Sequence, residues 1–152
     1  MPTTLRLEPL NATNIVAANS LTLKPGQEQY ATPVSHAIAE QSINPTTTWT
    51  RVVLEGEEVV GFIKGNLDPN EQRDEFRCCV WSINVKASAQ GHGVGRFAVQ
   101  ALAEKARSLG FDRLTVIWES GGEGSPEEFF LHLGFTPVGE TQYGEVLGAM
   151  SL

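Results

Sequence analysis

Between residues 90 and 96 the chain reads Gln90-Gly91-His92-Gly93-Val94-Gly95-Arg96, with glycine at every second position from 91 to 95. Glycines spaced in this way let the backbone approach a ligand closely and adopt conformations closed to other residues. If a helix starts here, amide N–H groups point outward from its first turn, and phosphate oxygens are their natural complement. Two familiar phosphate motifs fit poorly. A nucleotide P-loop needs Lys and then Ser or Thr after its last glycine, where this chain has Arg96 and Phe97. A dinucleotide fingerprint has G-x-G-x-x-G and an acidic residue closing a strand about twenty residues later. Here the spacing is G-x-G-x-G and the next strand ends at Trp118-Glu119. On these residues alone, a plain flexible turn stays open as the alternative.

The loop needs a strand before it and a helix after it. Phe76 to Val85, rich in β-branched, aromatic and Cys residues, is the strongest strand in the chain. After the glycines, Val94, Phe97, Ala98, Ala101, Leu102, Ala106 and Leu109 recur at spacings of three and four. Gln100, Glu104, Lys105 and Arg107 take the other face, which predicts an amphipathic helix stopped by Gly110. Leu114 to Trp118 reads as a short buried strand. Ser125-Pro126-Glu127-Glu128 supplies a cap, a proline at the first helical position and two first-turn acids. That helix runs through Phe129, Phe130 and Leu133 to Gly134, and strands are expected at Phe135 to Val138 and Glu145 to Leu152.

Upstream, Leu5-Arg6-Leu7 alternates like a strand, and Asn11 or Thr13 could cap a helix reaching Ser20. Pro33 suits the first turn of a second helix carrying Ile38, Ala39 and Glu40. Trp49 to Leu54 and Val59 to Ile63 form a hairpin through a turn at Glu55-Gly56. Early helices, an antiparallel meander, one strand–helix–strand crossover and closing strands predict an α/β (α+β) domain of three layers, one domain over residues 1–152.

Composition narrows the function. The 152 residues are 41% hydrophobic and 19% charged, enough apolar material for a core and too much for a disordered chain. Lys and Arg number 11 against 18 Asp and Glu, a formal charge of −7, so a nucleic-acid partner is disfavoured. From Asp112 to Leu152 seven acids face Arg113 alone, a local −6. That surface either serves solubility or attracts a cationic ligand. No apolar run is long enough to span a membrane, and the N-terminus lacks a secretion signal's profile. Cys78 and Cys79 are too few for a disulfide framework. A reducing cytoplasm is the expected address, and no metal is expected. On a strand the two cysteines take opposite faces, which predicts one in the core and one half-exposed.

Gln90-x-x-Gly93-x-Gly95 resembles the acetyl-CoA pyrophosphate loop of the GNAT superfamily of N-acetyltransferases, (Q/R)-x-x-G-x-(G/A). It follows a strand ending Ile83-Asn84-Val85 and opens a long helix, as in that family. Phe129-Phe130-Leu131-His132-Leu133-Gly134-Phe135 is similar to the family's late F-Y-x-x-L-G-F segment. Shorter stretches resemble the spermine/spermidine (diamine) acetyltransferase-like branch: Leu23 to Tyr30 with Ala39-Glu40, Val60-Gly61-Phe62 with Asp68-Pro69, and Gly122 to Pro126 with Gly139-Glu140 and Glu145.

The resemblance implies a mixed, mostly antiparallel sheet flanked by helices, with two strands splayed at an acetyl-CoA cleft. The pantetheine arm would lie along Ile83, Asn84 and Val85, bonded to backbone, with a backbone N–H near Ile83 holding the thioester oxygen. The loop Gln90, Gly91, His92, Gly93, Val94, Gly95 and Arg96 would take the pyrophosphate, and Ser125 and Phe130 would complete the cofactor side. Arg96 and Lys86 could add charge for the phosphates. Gln27, Tyr30, Glu40 and Trp81 are the implied acceptor residues, Trp81 packing on a methylene chain.

Two positions depart from the family. The diamine branch carries an acid on the central strand, where this chain has Trp81 and Ser82, so Glu119, Glu123 and Glu40 are the remaining candidates for general base. Phe130 stands where many members have a Tyr that protonates the leaving sulfur, and Tyr143 or Tyr30 could substitute. The implied activity is acetyl transfer from acetyl-CoA to a small primary amine, a polyamine among the candidates, by direct attack in a ternary complex. A homodimer is admitted. The alternative is a degenerate acyl-CoA-binding regulatory domain with little catalytic activity, and a nucleotide-binding module is more distant.

Overall fold

In the computed structural model, residues 4–25, 27, 34–35, 46–121 and 124–152 are described. Of the helix expected after Pro33 only residues 34–35, which are helical, are described; Glu40 and the candidates Tyr30 and Glu123 lie outside the described residues. Among the described residues, seven strands form one sheet in the order β1-β2-β3-β4-β5-β7-β6. They are β1 (Leu5–Pro9), β2 (Thr48–Glu55), β3 (Glu58–Leu67), β4 (Cys78–Val85), β5 (Arg113–Trp118), β6 (Thr136–Glu140) and β7 (Val146–Ser151). Every pairing is antiparallel except β4 with β5. The intervening crossover carries a 15-residue helix, α2 (Val94–Ser108); α1 (Ile15–Asn19) and α3 (Glu127–Leu133) are short. The mixed, mostly antiparallel α/β architecture is the one expected.

Several boundaries shift for local reasons. The first part of the expected fourth strand winds into a 3₁₀ turn at Asp74–Phe76. Thr115 Oγ1 donates to the Glu75 carbonyl at 2.6 Å and Asn66 Nδ2 to that of Phe76 at 2.7 Å, pinning the turn to the sheet. The N-cap of α1 is Asn14, not Asn11 or Thr13; Asn11 instead holds the preceding turn, its Oδ1 accepting from the amides of Thr13 and Asn14 at 2.8 and 3.1 Å. Pro126 sits at the N-cap of α3 rather than inside it.

The core face of α2 is Val94, Ala98, Val99, Leu102, Ala103 and Ala106. It is rotated from the expected stripe, because Leu109 falls at the C-cap and is 53% exposed. Two glycines of β3 seat this helix. A Cβ at Gly61 would lie 2.9 Å from Val94 Cγ1, and one at Gly65 would lie 2.6 Å from Leu102 Cδ1. Burying each such aliphatic side chain is worth about 1.5–3 kcal/mol, so α2 settles where β3 gives way. Its N-terminus thereby lies over the Val85 end of β4, since Gly61 pairs with Val85.

Both Cys78 and Cys79 are buried, at 4% and 3% exposure, which corrects the expectation of one half-exposed thiol. Burial pushes each thiol up to about 12. An acid whose folded pKa is raised stabilises the fold below its unfolded pKa, near 8.5, and loses that contribution as pH climbs towards 12. Unfolding free energy should therefore fall above pH 9 by about 1.4 kcal/mol per pH unit for each thiol. Denaturant titrations from pH 8 to 11, with Cys78→Ala and Cys79→Ala as references, measure that slope. A slope unaffected by removing either thiol would contradict it.

Candidate active site

β4 and β5 are joined at only two pairs, Cys79↔Thr115 and Val80↔Val116. Beyond them β4 continues to Val85 and β5 to Trp118 without pairing to each other. The strands have splayed, as the resemblance implied. A cleft of about 760 Å³ occupies this region and runs on to the glycine loop. Of the residues expected on the cofactor side, Ile83, Val85, Gln90, Gly91, Gly93, Val94, Gly95, Arg96, Ser125 and Phe130 all line it, as do Gln27 and Trp81.

The loop glycines have distinct jobs. Gly91 and Gly93 take φ of +83° and +86°, a left-handed conformation that β-branched residues avoid, and neither would meet a neighbour through an added Cβ. Gly93 is the N-cap of α2, so the amides that follow it have no carbonyl earlier in the helix to bond. Gly95 is different. It is buried in the helix, and a Cβ there would stand 2.7 Å from Phe129 Cε1 and Cζ. Its absence of side chain serves helix packing, whereas the expectation was closeness to phosphate.

Gln90 turns its side chain inward. Its Nε2 donates to the Val85 carbonyl at 3.0 Å and to Gln27 Oε1 at 2.7 Å, and Gln27 Nε2 returns a bond to Gln90 Oε1 at 2.9 Å. Gln27, expected on the acceptor side, is instead tied to the cofactor loop. Lys86 pairs with Glu58 at 2.6 Å, leaving exposed Arg96 as the loop cation that lines the cleft.

Four of the expected site residues have side chains that lie off the cleft lining. His92 is exposed and does not line the cleft, because the turn carries it outward. Asn84 is buried at 5% exposure and also lies off the cleft, since strand alternation sends it to the opposite face from Ile83 and Val85. Tyr143 is 81% exposed in the turn between β6 and β7, too far out on the surface to line the cleft. Glu119 is exposed just past β5 and is likewise not in the lining, although its carbonyl accepts from Ser125 Oγ at 2.7 Å.

Phe130 is 3% exposed and packs among Trp118, Phe129 and Phe135 at ring separations of 5.6, 5.1 and 5.7 Å. Trp118 Nε1 donates to Glu127 Oε2 at 2.8 Å, which locks the end of β5 to α3. This aromatic cluster makes one wall.

Two carboxylates passed over in the search for a base do line the cleft, Glu75 and Glu145. Glu75 sits in the 3₁₀ turn before β4, beside Phe76, whose ring lies 5.5 Å from that of Trp81. Glu145 precedes β7, half-buried, and Thr141 Oγ1 donates to its Oε1 at 3.2 Å. Glu75 carries no motif and Glu145 entered only as part of the branch resemblance; the pairing of β5 with β7 brings Glu145 here.

The GNAT acetyltransferase family model matches residues 16–135. The chain belongs to the acetyltransferase (GNAT) family, whose members transfer an acetyl group from acetyl-CoA. It is similar in structure to the ribosomal-protein-S18-alanine N-acetyltransferase of Escherichia coli, with TM-score 0.70 and 16% identity over 97% of this chain and 94% of that one. The GNAT domain of PAT from S. lividans gives TM-score 0.77 at 15% identity, over 97% and 90%. An aminoglycoside 6'-N-acetyltransferase complexed with coenzyme A gives 0.70 at 18%, over 96% of each. No curated protein matches the chain. Among the described residues, no helix is long and apolar enough to cross a membrane.

Proposed function

We propose that this acetyltransferase acetylates a small primary amine by direct attack on acetyl-CoA in a ternary complex, with cationic amines such as polyamines as the preferred acceptors. The observation that carries the reading is one continuous cleft joining the open β4–β5 gap to the glycine loop at the α2 N-terminus. Backbone groups of β4 from Ile83 to Val85 would hold the pantetheine amides. The amides after Gly93, with Arg96, would hold the pyrophosphate. Ser125 and the Phe130 wall would complete that side.

Direct attack is favoured over a covalent acetyl-enzyme. Cys79 is the thiol that lines the cleft, and at a pKa of about 12 it is protonated and a poor nucleophile at neutral pH. A free alkyl amine with a pKa near 10.4 is neutral in only roughly one molecule per thousand at pH 7, so a carboxylate must take its proton. We assign that role to Glu145, with Glu75 supplying attraction for a cationic acceptor; Glu123 and Glu40 stay secondary candidates. The buried ring of Phe130 has no proton to give, so CoA leaves as a thiolate, tolerable for a thiol with pKa near 8.5.

The acceptors named for similar structures differ, a ribosomal-protein alanine in one and an aminoglycoside in another. Choice of amine therefore rests on this chain's own cleft. The test is an acetyl-CoA binding titration with a thiol-release assay over spermidine, 2-phenylethylamine, ethanolamine and glutamate. Turnover of the cationic amines, weakening as salt rises, is the expected result. Equal rates on glutamate without salt dependence would remove the electrostatic part of the proposal. Acetyl-CoA binding with no CoA release on any amine would favour the regulatory alternative.

A further inference from the structure

At the point where β4 and β5 part, β4 carries an extra residue. The β3–β4 register passes from Lys64↔Ser82 directly to Gly65↔Val80, so Trp81 is a bulge with no partner on β3. A bulge resets the alternation of a strand and re-aims the side chains around it. Trp81 and Ser82 both line the cleft, within the run from Cys79 to Ile83 that borders it. Trp81 is held in place by Phe76 at 5.5 Å and by Lys64 Nζ, 5.5 Å from its ring centre. Ser82 is 7% exposed, and its Oγ has no hydrogen-bond partner. A hydroxyl removed from water and given nothing in return costs the free protein stability. Its position, beside the gap and two residues past the last β4–β5 pair, is where an incoming acceptor would meet the strand.

We infer that Ser82 Oγ is the hydrogen-bond partner of the acceptor amine. The inference rests on the transferase reading above and deepens it. The hydroxyl accepts one N–H of the neutral amine and so fixes the direction of the nitrogen lone pair. It takes no net proton. The N–C bond forms at the thioester carbon and the C–S bond breaks. CoA departs as thiolate, and the amine's surplus proton goes to the carboxylate assigned above.

The experiment compares wild type, Ser82→Ala and Ser82→Thr in the thiol-release assay, using spermidine and 2-phenylethylamine, with acetyl-CoA affinity measured by calorimetry. Loss of one hydrogen bond should raise the amine KM of Ser82→Ala about 5- to 30-fold. Acetyl-CoA affinity and the pH of half-maximal rate should not move, since no titrating group is lost. Ser82→Thr should recover most of the KM. Because the hydroxyl is unpaired in the free protein, Ser82→Ala should melt at the same temperature or about 2–4 °C higher. A lower melting temperature with weaker acetyl-CoA binding would mark a structural hydroxyl and overturn the inference. Turnover by wild type with an unchanged amine KM in Ser82→Ala would overturn it while leaving the transferase reading intact. Failure of wild type to release CoA with either amine would remove both.

Discussion

A Gly93→Val protein should stay folded and lose acetyl-CoA, whereas Gly95→Val should lose packing first. Gly93 is at φ +86° with nothing near its missing side chain, so valine there meets no neighbour, only a backbone conformation it resists. Holding an L-residue left-handed costs about 1–2 kcal/mol, a loss that a domain of this size tolerates. Relief of that strain turns the peptide away and disperses the amides that open α2. Losing two charge-assisted hydrogen bonds to phosphate, each worth about 1.5–3 kcal/mol, should weaken binding at least roughly 100-fold. A Cβ at Gly95 would stand 2.7 Å from the Phe129 ring, so valine there wedges α2 from α3 and should cost about 1–3 kcal/mol or more. Calorimetry with acetyl-CoA and thermal melts of both variants separate the effects. Wild-type affinity in folded Gly93→Val would contradict the loop assignment.

Replacing Glu145 by Gln should lower kcat/KM for a primary amine by about 10²–10³-fold at pH 7, within the range of general base assistance. Counting along the parallel pair from Val80↔Val116, Ile83 lies level with Glu119, one residue past Trp118, which pairs with Val146. Glu145 therefore stands beside the level of the proposed thioester carbonyl, whereas Glu75 precedes the paired, closed end of the gap. The deficit should shrink as pH approaches the amine's own pKa, because solvent then supplies the neutral nucleophile. Glu75→Gln should instead raise the KM of cationic amines a few-fold, less so in high salt. Rate–pH profiles of both variants decide between them. A Glu145→Gln profile matching wild type would take the base role from this residue.

Local signals were enough for the elements around the loop. The three- and four-residue spacing after Gly93 gave α2 nearly to the residue, because helix periodicity and a glycine stop act within one or two turns. The splayed gap was implied by the family resemblance, whereas the aromatic cluster that buries Phe130 was not anticipated. Side-chain direction was harder. The cysteines were misplaced because β4 is covered on both faces at that end, which strand alternation alone does not reveal.

From the sequence by itself came the strand–glycine loop–helix unit, the family resemblance and the cofactor side of the cleft, since backbone conformation and helix amphipathicity are written in neighbouring residues. Tertiary structure alone decided which residues stand at the proposed acceptor side. Glu145 reaches the cleft through β5–β7 pairing, Ser82 is left unpaired through the β3–β4 bulge, and Gly95 is required by Phe129, 34 positions along the chain. Each of these depends on contacts between segments far apart in sequence, and no local pattern encodes the register at which such segments meet.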